Sequence, residues 1–169
     1  LTAAGLSTVG EAGNNAAKWG GGAFLHIRES LFDCITISNW CDNFGGGVQA
    51  EFGAQVDNCY FAENISWGGA GLCLSTARAQ NCTLIKNTAE GNGGGIYSIN
   101  STSLNCVVYF NEAALDADDN YYNEVGANVM SYCCASPLPS GEGNIAADPL
   151  MAGIYNPHLL AASPCRTAG

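Results

Sequence analysis

Hydrophobic and polar positions alternate with a period of two in much of residues 23–111. Ala23, Leu25 and Ile27 alternate with Phe24 and His26, and a similar alternation follows later clusters of glycines. A second run of β-branched or aromatic residues follows in each stretch, at positions 35–37, 60–61, 83–85 and 107–109. This period predicts short strands with one inward face, and no helical segment is predicted between them.

Two sequence markers recur with a common spacing. The last glycines of successive clusters lie 24 or 25 residues apart, at Gly22, Gly47, Gly71 and Gly95. Cysteines recur in phase, each followed five positions later by Asn, at Cys34, Cys59, Cys82 and Cys106. Coils stacked about 4.8 Å apart explain the repeat and the alternation together. The sequence therefore predicts an all-β parallel β-helix of about five coils, from Val9, which takes the cysteine position of the first coil, to about Asn111.

The asparagines of the repeat predict a structural ladder. Its expected members are Asn14, Asn39, Asn64, Asn87 and Asn111. An amide at an inner turn can accept from one backbone group and donate to another, and stacked amides can bond to one another along the axis. The alternative for Asn64 is glycosylation, since it begins an Asn-Ile-Ser sequon. Its position in the ladder favours a buried structural amide.

The recurring cysteines predict a column inside the solenoid. Cys34, Cys59, Cys82 and Cys106 are expected to point inward, where a thiol behaves as a small hydrophobic group. Their spacing of 23 to 25 residues matches no Cys-x-x-Cys metal pattern. The glycine clusters lack the Lys and the helix start of a phosphate-binding loop. Structural glycines and inert core thiols are therefore favoured over phosphate binding, metal binding or redox chemistry.

The composition indicates a single extracellular domain spanning residues 1–169. The net charge is -10 although only 12% of the residues are charged, which disfavours nucleic acid and anionic membranes as partners. No apolar run approaches the roughly 18 residues needed to span a bilayer, so membrane insertion is not expected. Nine cysteines with only five Lys and Arg are typical of an exported protein. The expected location is the extracellular space or the cell surface.

Several segments of the chain carry a family resemblance. They are residues 14–22, residues 87–97, and the tail segments 143–150, 155–159 and 163–169. These segments resemble the right-handed parallel β-helix repeat proteins of the pectate-lyase-like superfamily, especially modules of bacterial surface proteins. That family usually closes with Ser-Pro-Cys-Ile-Asp-Ala-Gly, from which Arg166 and Thr167 depart. The resemblance implies a right-handed solenoid, but the superfamily includes lyases, hydrolases and adhesins.

The resemblance also implies that a cysteine staples the end of the chain. Residues 1–111 are the expected repeat coils, and residues 112–169 are an irregular closing segment that gains five prolines. Such a segment must be held against the last coil, and we predict a disulfide from Cys165 to either Cys133 or Cys134. Cys41 and Cys73 lie outside the column and have no assigned partners.

The catalytic signal in the sequence is weak, and no catalytic residue is assigned. His26 above Glu51 is a candidate acid/base pair on the outward face, but an exposed ion pair is favoured. Asp116, Asp118 and Asp119 are weak calcium candidates, although they lack the spacing and the glycine of an EF-hand loop. No cofactor is otherwise expected. Asn100 begins a sequon in a loop and is the best glycosylation candidate.

Two functions are compatible with the sequence. The first is a non-enzymatic extracellular module, structural or adhesive, with carbohydrate as a candidate partner. End-to-end self-association into a filament or surface fibre is a further expectation, since a terminal coil leaves backbone groups unpaired. The alternative is a lyase or glycoside hydrolase that acts on acidic polysaccharide. Enzymes of this fold usually carry long loops over more coils, and the short turns here favour the first function.

Overall fold

The chain folds into a parallel β-solenoid of about five coils. The structure, a computed structural model, describes residues 6–114, 119–153 and 155–166, with side chains described from residue 13 onward. Each regular coil contributes four short strands, which pair in parallel with their equivalents in the coils before and after. The all-β solenoid expected from the 24-residue repeat is confirmed.

The strands form three parallel sheets, which we number 1 to 3 in the order in which the chain passes through them after each glycine cluster. Sheet 2 is the largest and contains two strands from most coils. β4 crosses both halves of the sheet, and β1 of the first coil pairs with β4. The strands of sheet 2 are β1 (Leu6–Gly13), β4 (Ser30–Ile37), β7 (Gln55–Asp57), β8 (Tyr60–Ala62), β11 (Arg78–Gln80), β12 (Thr83–Ile85), β15 (Thr102–Leu104), β16 (Val107–Tyr109), β19 (Val129–Ser131) and β20 (Cys134–Ala135).

Sheets 1 and 3 complete the cross-section, with one strand from each coil. Sheet 1 consists of β3 (Ala23–Leu25), β6 (Val48–Glu51), β10 (Leu72–Ser75), β14 (Ile96–Ile99) and β18 (Tyr121–Asn123). Sheet 3 consists of β2 (Ala16–Ala17), β5 (Trp40–Cys41), β9 (Ile65–Ser66), β13 (Thr88–Ala89) and β17 (Glu112–Ala113). β17 to β20 continue all three sheets to Ala135, beyond the repeat boundary expected at Asn111.

The core is a stack of like residues held in register. Leu72 of β10 lies between Val48 and Ile96 of the neighbouring coils, and all three are at most 1% exposed. Leu84 in sheet 2 lies between Phe61 and Val108 in the same way. Because side chains alternate along a strand, this register directs one set of residues inward and leaves the intervening set on the outer face.

Residues in the left-handed region make the turns between strands. One column of them consists of Asp33, Asn58, Asn81 and Asn105, with φ between 50° and 55°. Asn and Asp tolerate this conformation better than other residues with a Cβ. Their side chains also bond to one another on the outer surface, since Asn58 Nδ2 donates to Asp33 Oδ1 (2.5 Å) and Asn105 Nδ2 donates to Asn81 Oδ1 (2.8 Å). Asn81 Nδ2 donates to the neighbouring Asp57 (3.0 Å). The turn is therefore supported from outside as well as by backbone pairing.

The closing segment first adds to the last coil and then runs over sheet 2. Ile145 forms a parallel bridge with Cys134. The chain continues into an antiparallel hairpin of β21 (Met151–Gly153) and β22 (Asn156–Leu159), followed by a short 3-10 helix, Pro164–Arg166. Met151 packs on the outer cluster around Tyr60, and the Tyr155 hydroxyl lies 2.9 Å from both carboxylate oxygens of Glu63. The tail thus contacts coils that come much earlier in the chain than the last coil, from which the tail starts.

Candidate functional site

The asparagine ladder runs inside the solenoid, beside the turn into sheet 3. Asn39 Nδ2 donates to Asn64 Oδ1 (3.0 Å), Asn64 Nδ2 to Asn87 Oδ1 (2.9 Å), and Asn87 Nδ2 to Asn111 Oδ1 (2.9 Å). These four side chains are at most 3% exposed. Asn120 extends the ladder, since its Oδ1 accepts from Asn111 Nδ2 at 3.0 Å. Sequence reasoning missed Asn120 because it follows Asn111 by only nine residues.

The first member of the ladder requires a correction. Asn14 is exposed, with φ of 58°, and Asn15 instead donates to Asn39 Oδ1 from its backbone N (3.1 Å) and its Nδ2 (2.9 Å). The physical reason is the variable length of the turn that follows. Seven residues separate the ladder amide from the last glycine in the first coil (15 to 22), whereas eight do in the second (39 to 47). Gly10, and not Val9, lies opposite Cys34.

The cysteine column lies in the core. Cys34, Cys59, Cys82 and Cys106 belong to the main hydrophobic cluster, and Cys133 continues the column in the next coil. A hydrogen bond with the Cys82 thiol, and then burial, raise the pKa of Cys59. A hydrogen bond with Cys133, and then other contacts and burial, raise that of Cys106. Hydrogen bonds with Cys106 lower the pKa of Cys82 and of Cys133, so the direction of the shift alternates along the column with the hydrogen bonds between neighbouring thiols.

The structure separates the two candidate partners of Cys165. Cys133 points into the core, with its thiol directed at the carbonyls of Ser103 and Ser131. Cys134 points the opposite way, and its side chain forms a hydrogen bond with that of Cys165. All nine cysteines are thiols in the structure. The disulfide stays a prediction, and the geometry favours Cys134 as the partner.

The other candidate residues lie apart from one another. Asn100 is exposed, and its Oδ1 accepts from the backbone N of Ala127 at 2.9 Å. Asp119 accepts from the backbone N of Ala113 at 3.0 Å, while Asp116 and Asp118 lie outside the described residues. Among the residues that the structure describes, no group of three His, Cys, Asp or Glu side chains is arranged to hold a metal ion.

An aromatic strip along sheet 1 was not expected from the sequence. We define it as Trp19, Phe44, Trp67, Tyr97 and Tyr122, one ring from each coil. Phe44 stacks on Trp19 with centroids 6.1 Å apart and meets Trp67 (5.2 Å) and Tyr97 (5.0 Å) edge to face. Tyr97 contacts Tyr122 at 5.1 Å. The rings therefore form one continuous surface parallel to the solenoid axis.

Glycines and turn geometry position this strip. Trp19, Phe44 and Trp67 lie on the turns that precede sheet 1, whereas Tyr97 and Tyr122 lie on strands of the sheet itself. A Cβ at Gly68 would lie 2.9 Å from the Phe44 ring, and one at Gly91 would lie 3.0 Å from the Trp67 ring. Gly68 and Gly91 thus leave the space that the rings of Phe44 and Trp67 occupy. Trp19 and Trp67 remain 43% and 41% exposed, whereas Tyr97 is 7% exposed, so the strip is open to solvent mainly at its two indoles.

Polar groups lie on the same outer face of sheet 1, beside the strip. Gln49 Nε2 donates to Glu51 Oε1 at 2.5 Å, and the Tyr97 hydroxyl donates to Glu124 Oε2 at 2.5 Å. Burial and then Glu124 raise the pKa of Tyr97. Burial and then Glu51 raise the pKa of Cys73, which lies between Gln49 and Tyr97 in the same row. The face therefore combines rings with carboxylates that are already oriented by hydrogen bonds.

Part of the outer face of sheet 1 could be predicted from the sequence. Alternation places Phe24, Gln49, Cys73 and Tyr97 in one outward row and His26, Glu51, Ser75 and Ile99 in the next. Of the expected His26–Glu51 pair, the imidazole instead contacts the rings of Phe24 (6.1 Å) and Phe52 (5.2 Å). The ring spacing from Trp19 to Phe44 and from Phe44 to Trp67, 25 and 23 residues, is the signal that could have revealed the strip.

Two cavities lie between the closing segment and sheet 2. One has a volume of about 210 Å³ and is lined by Asn81, Asn105, Tyr132 and Cys165 among others. The other, of about 340 Å³, is mainly apolar and also contains Lys86 and Asp148. The lining of neither cavity contains more than one carboxylate, so neither offers the paired acids of a glycosidase.

No protein-family model, curated protein or solved structure matches the chain. No helix among the described residues is long and apolar enough to cross a bilayer. The surfaces of the solenoid are therefore the basis for proposing a function. The aromatic strip, with its neighbouring carboxylates, is the outer surface with the most specific chemistry.

Proposed function

We propose that the chain is a non-enzymatic extracellular module that adheres to a polysaccharide through the aromatic strip. The observation that carries this proposal is the continuous contact of five rings from Trp19 to Tyr122 along the outside of sheet 1. Exposed aromatic rings that contact one another and are edged by polar groups are typical of a ligand or partner site.

The shape of the strip favours an extended ligand. Its five rings come from successive coils. The centroid distances from Trp19 through Phe44 and Tyr97 to Tyr122 are 6.1, 5.0 and 5.1 Å, so the strip is at most about 16 Å long. Sugar rings have apolar C–H faces that pack on aromatic rings, while their hydroxyls need hydrogen-bonding partners. Glu51, Glu124 and the Tyr97 hydroxyl provide such partners beside the rings. A polysaccharide lying along the axis would use both kinds of contact.

The fold and the composition support the part of the proposal that makes the chain an extracellular repeat module. The resemblance to right-handed β-helix modules of the pectate-lyase-like superfamily favours a surface-exposed repeat protein, and we assign the chain to such a module as part of the proposal. End-to-end association of modules into a fibre would join their strips into one longer binding surface.

The arrangement of carboxylates disfavours the hydrolase alternative. Glu51 on β6 and Glu124, which follows β18, lie on the same side of sheet 1 but three coils apart, which corresponds to about 14 Å. Glycosidase carboxyl pairs are separated by about 5 to 9.5 Å. Glu51 and Glu124 are therefore better suited to binding separate parts of a long ligand than to cleaving one bond.

The test is retention of the protein on insoluble polysaccharides of neutral, acidic and basic type. We expect Trp67→Ala to weaken binding by about tenfold or more, since one aromatic contact contributes on the order of 1.4 kcal/mol. Trp40→Ala is the matched control, because Trp40 is 44% exposed on sheet 3 and is not part of the strip.

Each outcome of this experiment is informative. Equal losses for Trp67→Ala and Trp40→Ala, or no retention on any polysaccharide, would contradict the proposal. Products released from a soluble polysaccharide by the unmodified protein would show an enzyme instead. Sedimentation of the protein over a range of concentrations tests the assembly, which we expect to lengthen along one axis.

A further inference from the structure

We propose, on the basis of the proposed function, that the strip prefers a polysaccharide whose sugars carry protonated amino groups. The rings alone would accept a sugar face of any charge. The preference comes from the charged and polar groups that flank the rings on sheet 1.

The charge of this face is negative. The second outward row of sheet 1 contains Glu51, and Glu124 continues this row in the last coil, since its N donates to the Ser98 carbonyl at 2.9 Å. The two outward rows contain neither Lys nor Arg. The whole chain has a net charge of -10. A polyanion would be repelled from such a surface, whereas a polycation would be attracted to it from a distance.

The rings can also recognise a cation directly. The faces of Trp, Tyr and Phe attract ammonium groups, and Trp is the strongest of the three. Trp19 and Trp67 present exposed indoles on one side of the central row, while Glu51 lies on the other side. An amino sugar placed between them would meet an aromatic face and a carboxylate together.

A buried acceptor on the same face lacks a partner. Gln49 is 5% exposed, and its Nε2 is used in the bond to Glu51. Its Oε1 has no hydrogen-bond partner in the described part of the chain. A buried amide oxygen without a partner is destabilising, and a small rearrangement of Glu51 would allow it to accept from an ammonium or hydroxyl group of the ligand. Because it is uncharged, this acceptor indicates a binding site independently of the negative charge of the carboxylates.

The test compares two oligosaccharides of one length that differ in N-acetylation and therefore in charge, and the salt dependence separates the effect of charge from that of the acetyl groups. Glucosamine oligomers of one length are used fully N-acetylated and fully deacetylated, at a pH about one unit below the pKa of the amines. We expect the deacetylated oligomer to bind at least about tenfold more tightly by calorimetry. This preference should shrink as salt is raised from about 0.1 to 1 M, where the screening length falls from about 10 to 3 Å.

Matched variants locate the effect. Glu51→Gln and Glu124→Gln remove a negative charge but keep hydrogen-bonding capacity, and each should reduce the preference by about threefold or more. Glu112→Gln makes the same change in net charge on sheet 3 and should leave the preference unchanged. If all three variants behave alike, overall charge rather than this face determines binding, and the inference is overturned.

The outcomes separate this inference from the proposed function. Equal or tighter binding of the acetylated oligomer, still lost in Trp67→Ala, would overturn the charge preference and leave the polysaccharide-binding function intact. Binding only to unrelated neutral polysaccharides would do the same. Absence of binding to every polysaccharide would overturn both.

Discussion

Asn64 Nδ2 donates a hydrogen bond of 2.9 Å to Oδ1 of Asn87 in the next coil. Asn64 Oδ1 accepts in turn from the backbone N (3.1 Å) and Nδ2 (3.0 Å) of Asn39. Asn64→Ala would leave these buried groups unsatisfied, at about 1 to 3 kcal/mol for each unsatisfied group. We expect a loss of about 3 to 5 kcal/mol in the free energy of unfolding, measured by urea denaturation.

Asn43→Ala is the control for the ladder. Asn43 Nδ2 donates to the Lys18 carbonyl at 3.1 Å, but this bond is exposed. Water can replace the lost donor there, so we expect a loss of about 1 kcal/mol or less. Similar losses for Asn43→Ala and Asn64→Ala would show that the internal ladder has no special role in stability.

Two glycines differ sharply in the space around them. A Cβ at Gly47 would lie 2.5 Å from the Gly71 carbonyl oxygen and 2.9 Å from the Phe61 ring, whereas a Cβ at Gly153 would meet no atom within 4 Å. Gly47→Ala should therefore separate adjacent coils and lower the melting temperature strongly. Gly153→Ala should be neutral or stabilise by up to about 1 kcal/mol. Thermal unfolding that is equal in the two variants would contradict this assignment of the coil spacing.

The cysteine at the end of the chain should pair with Cys134. After exposure to oxidised glutathione, we expect peptide mapping to find a Cys134–Cys165 disulfide, which would stabilise the fold by about 3 to 4 kcal/mol through a loop of about 31 residues. Cys133→Ala should keep this disulfide, and Cys134→Ala should leave Cys165 open to alkylation. A Cys133–Cys165 peptide would mean that the last coil is oriented differently.

The stability should fall in alkali partly because of Tyr60. Burial, and then the neighbouring Glu63, raise the pKa of Tyr60 to about 12. The folded state therefore holds this proton more tightly than the unfolded chain, whose tyrosines have a pKa of about 10. The resulting stabilisation is complete below about pH 10 and is lost as the pH rises toward about 12. Tyr60→Phe should flatten this part of the pH profile in urea unfolding, and an unchanged slope would contradict it.

The repeat could be predicted from the sequence because each coil uses the same residue types at the same places. Gly47 with Gly71, and Asn64 with Asn87, stack on their equivalents one period away, so local pattern and global register agree. The position of Asn14 could not be predicted by counting back from Gly22. Backbone pairing, in which the Trp40 N donates to the Asn15 carbonyl at 2.8 Å, places Asn15 and not Asn14 opposite Asn39.

The aromatic strip could not be read from strand alternation. Trp19, Phe44 and Trp67 stand on turns, where the period of two does not apply, and their rings converge with Tyr97 only after the turns fold over sheet 1. The proximity of Cys165 to Cys134 depends on how the irregular tail returns, and no repeat constrains that path. Residues on regular strands were thus predictable, whereas those brought together by turns and by the tail were not.

The aromatic strip has one ring in each coil, so the number of coils determines the length of the strip. Duplication of one whole coil in the gene would add about 4.8 Å and one more ring while preserving the hydrogen-bonding register. Duplication of part of a coil would shift that register and disrupt the stack. The natural evolutionary step for such a protein is therefore a whole number of coils, and its avidity for a long polymer would change in equal increments.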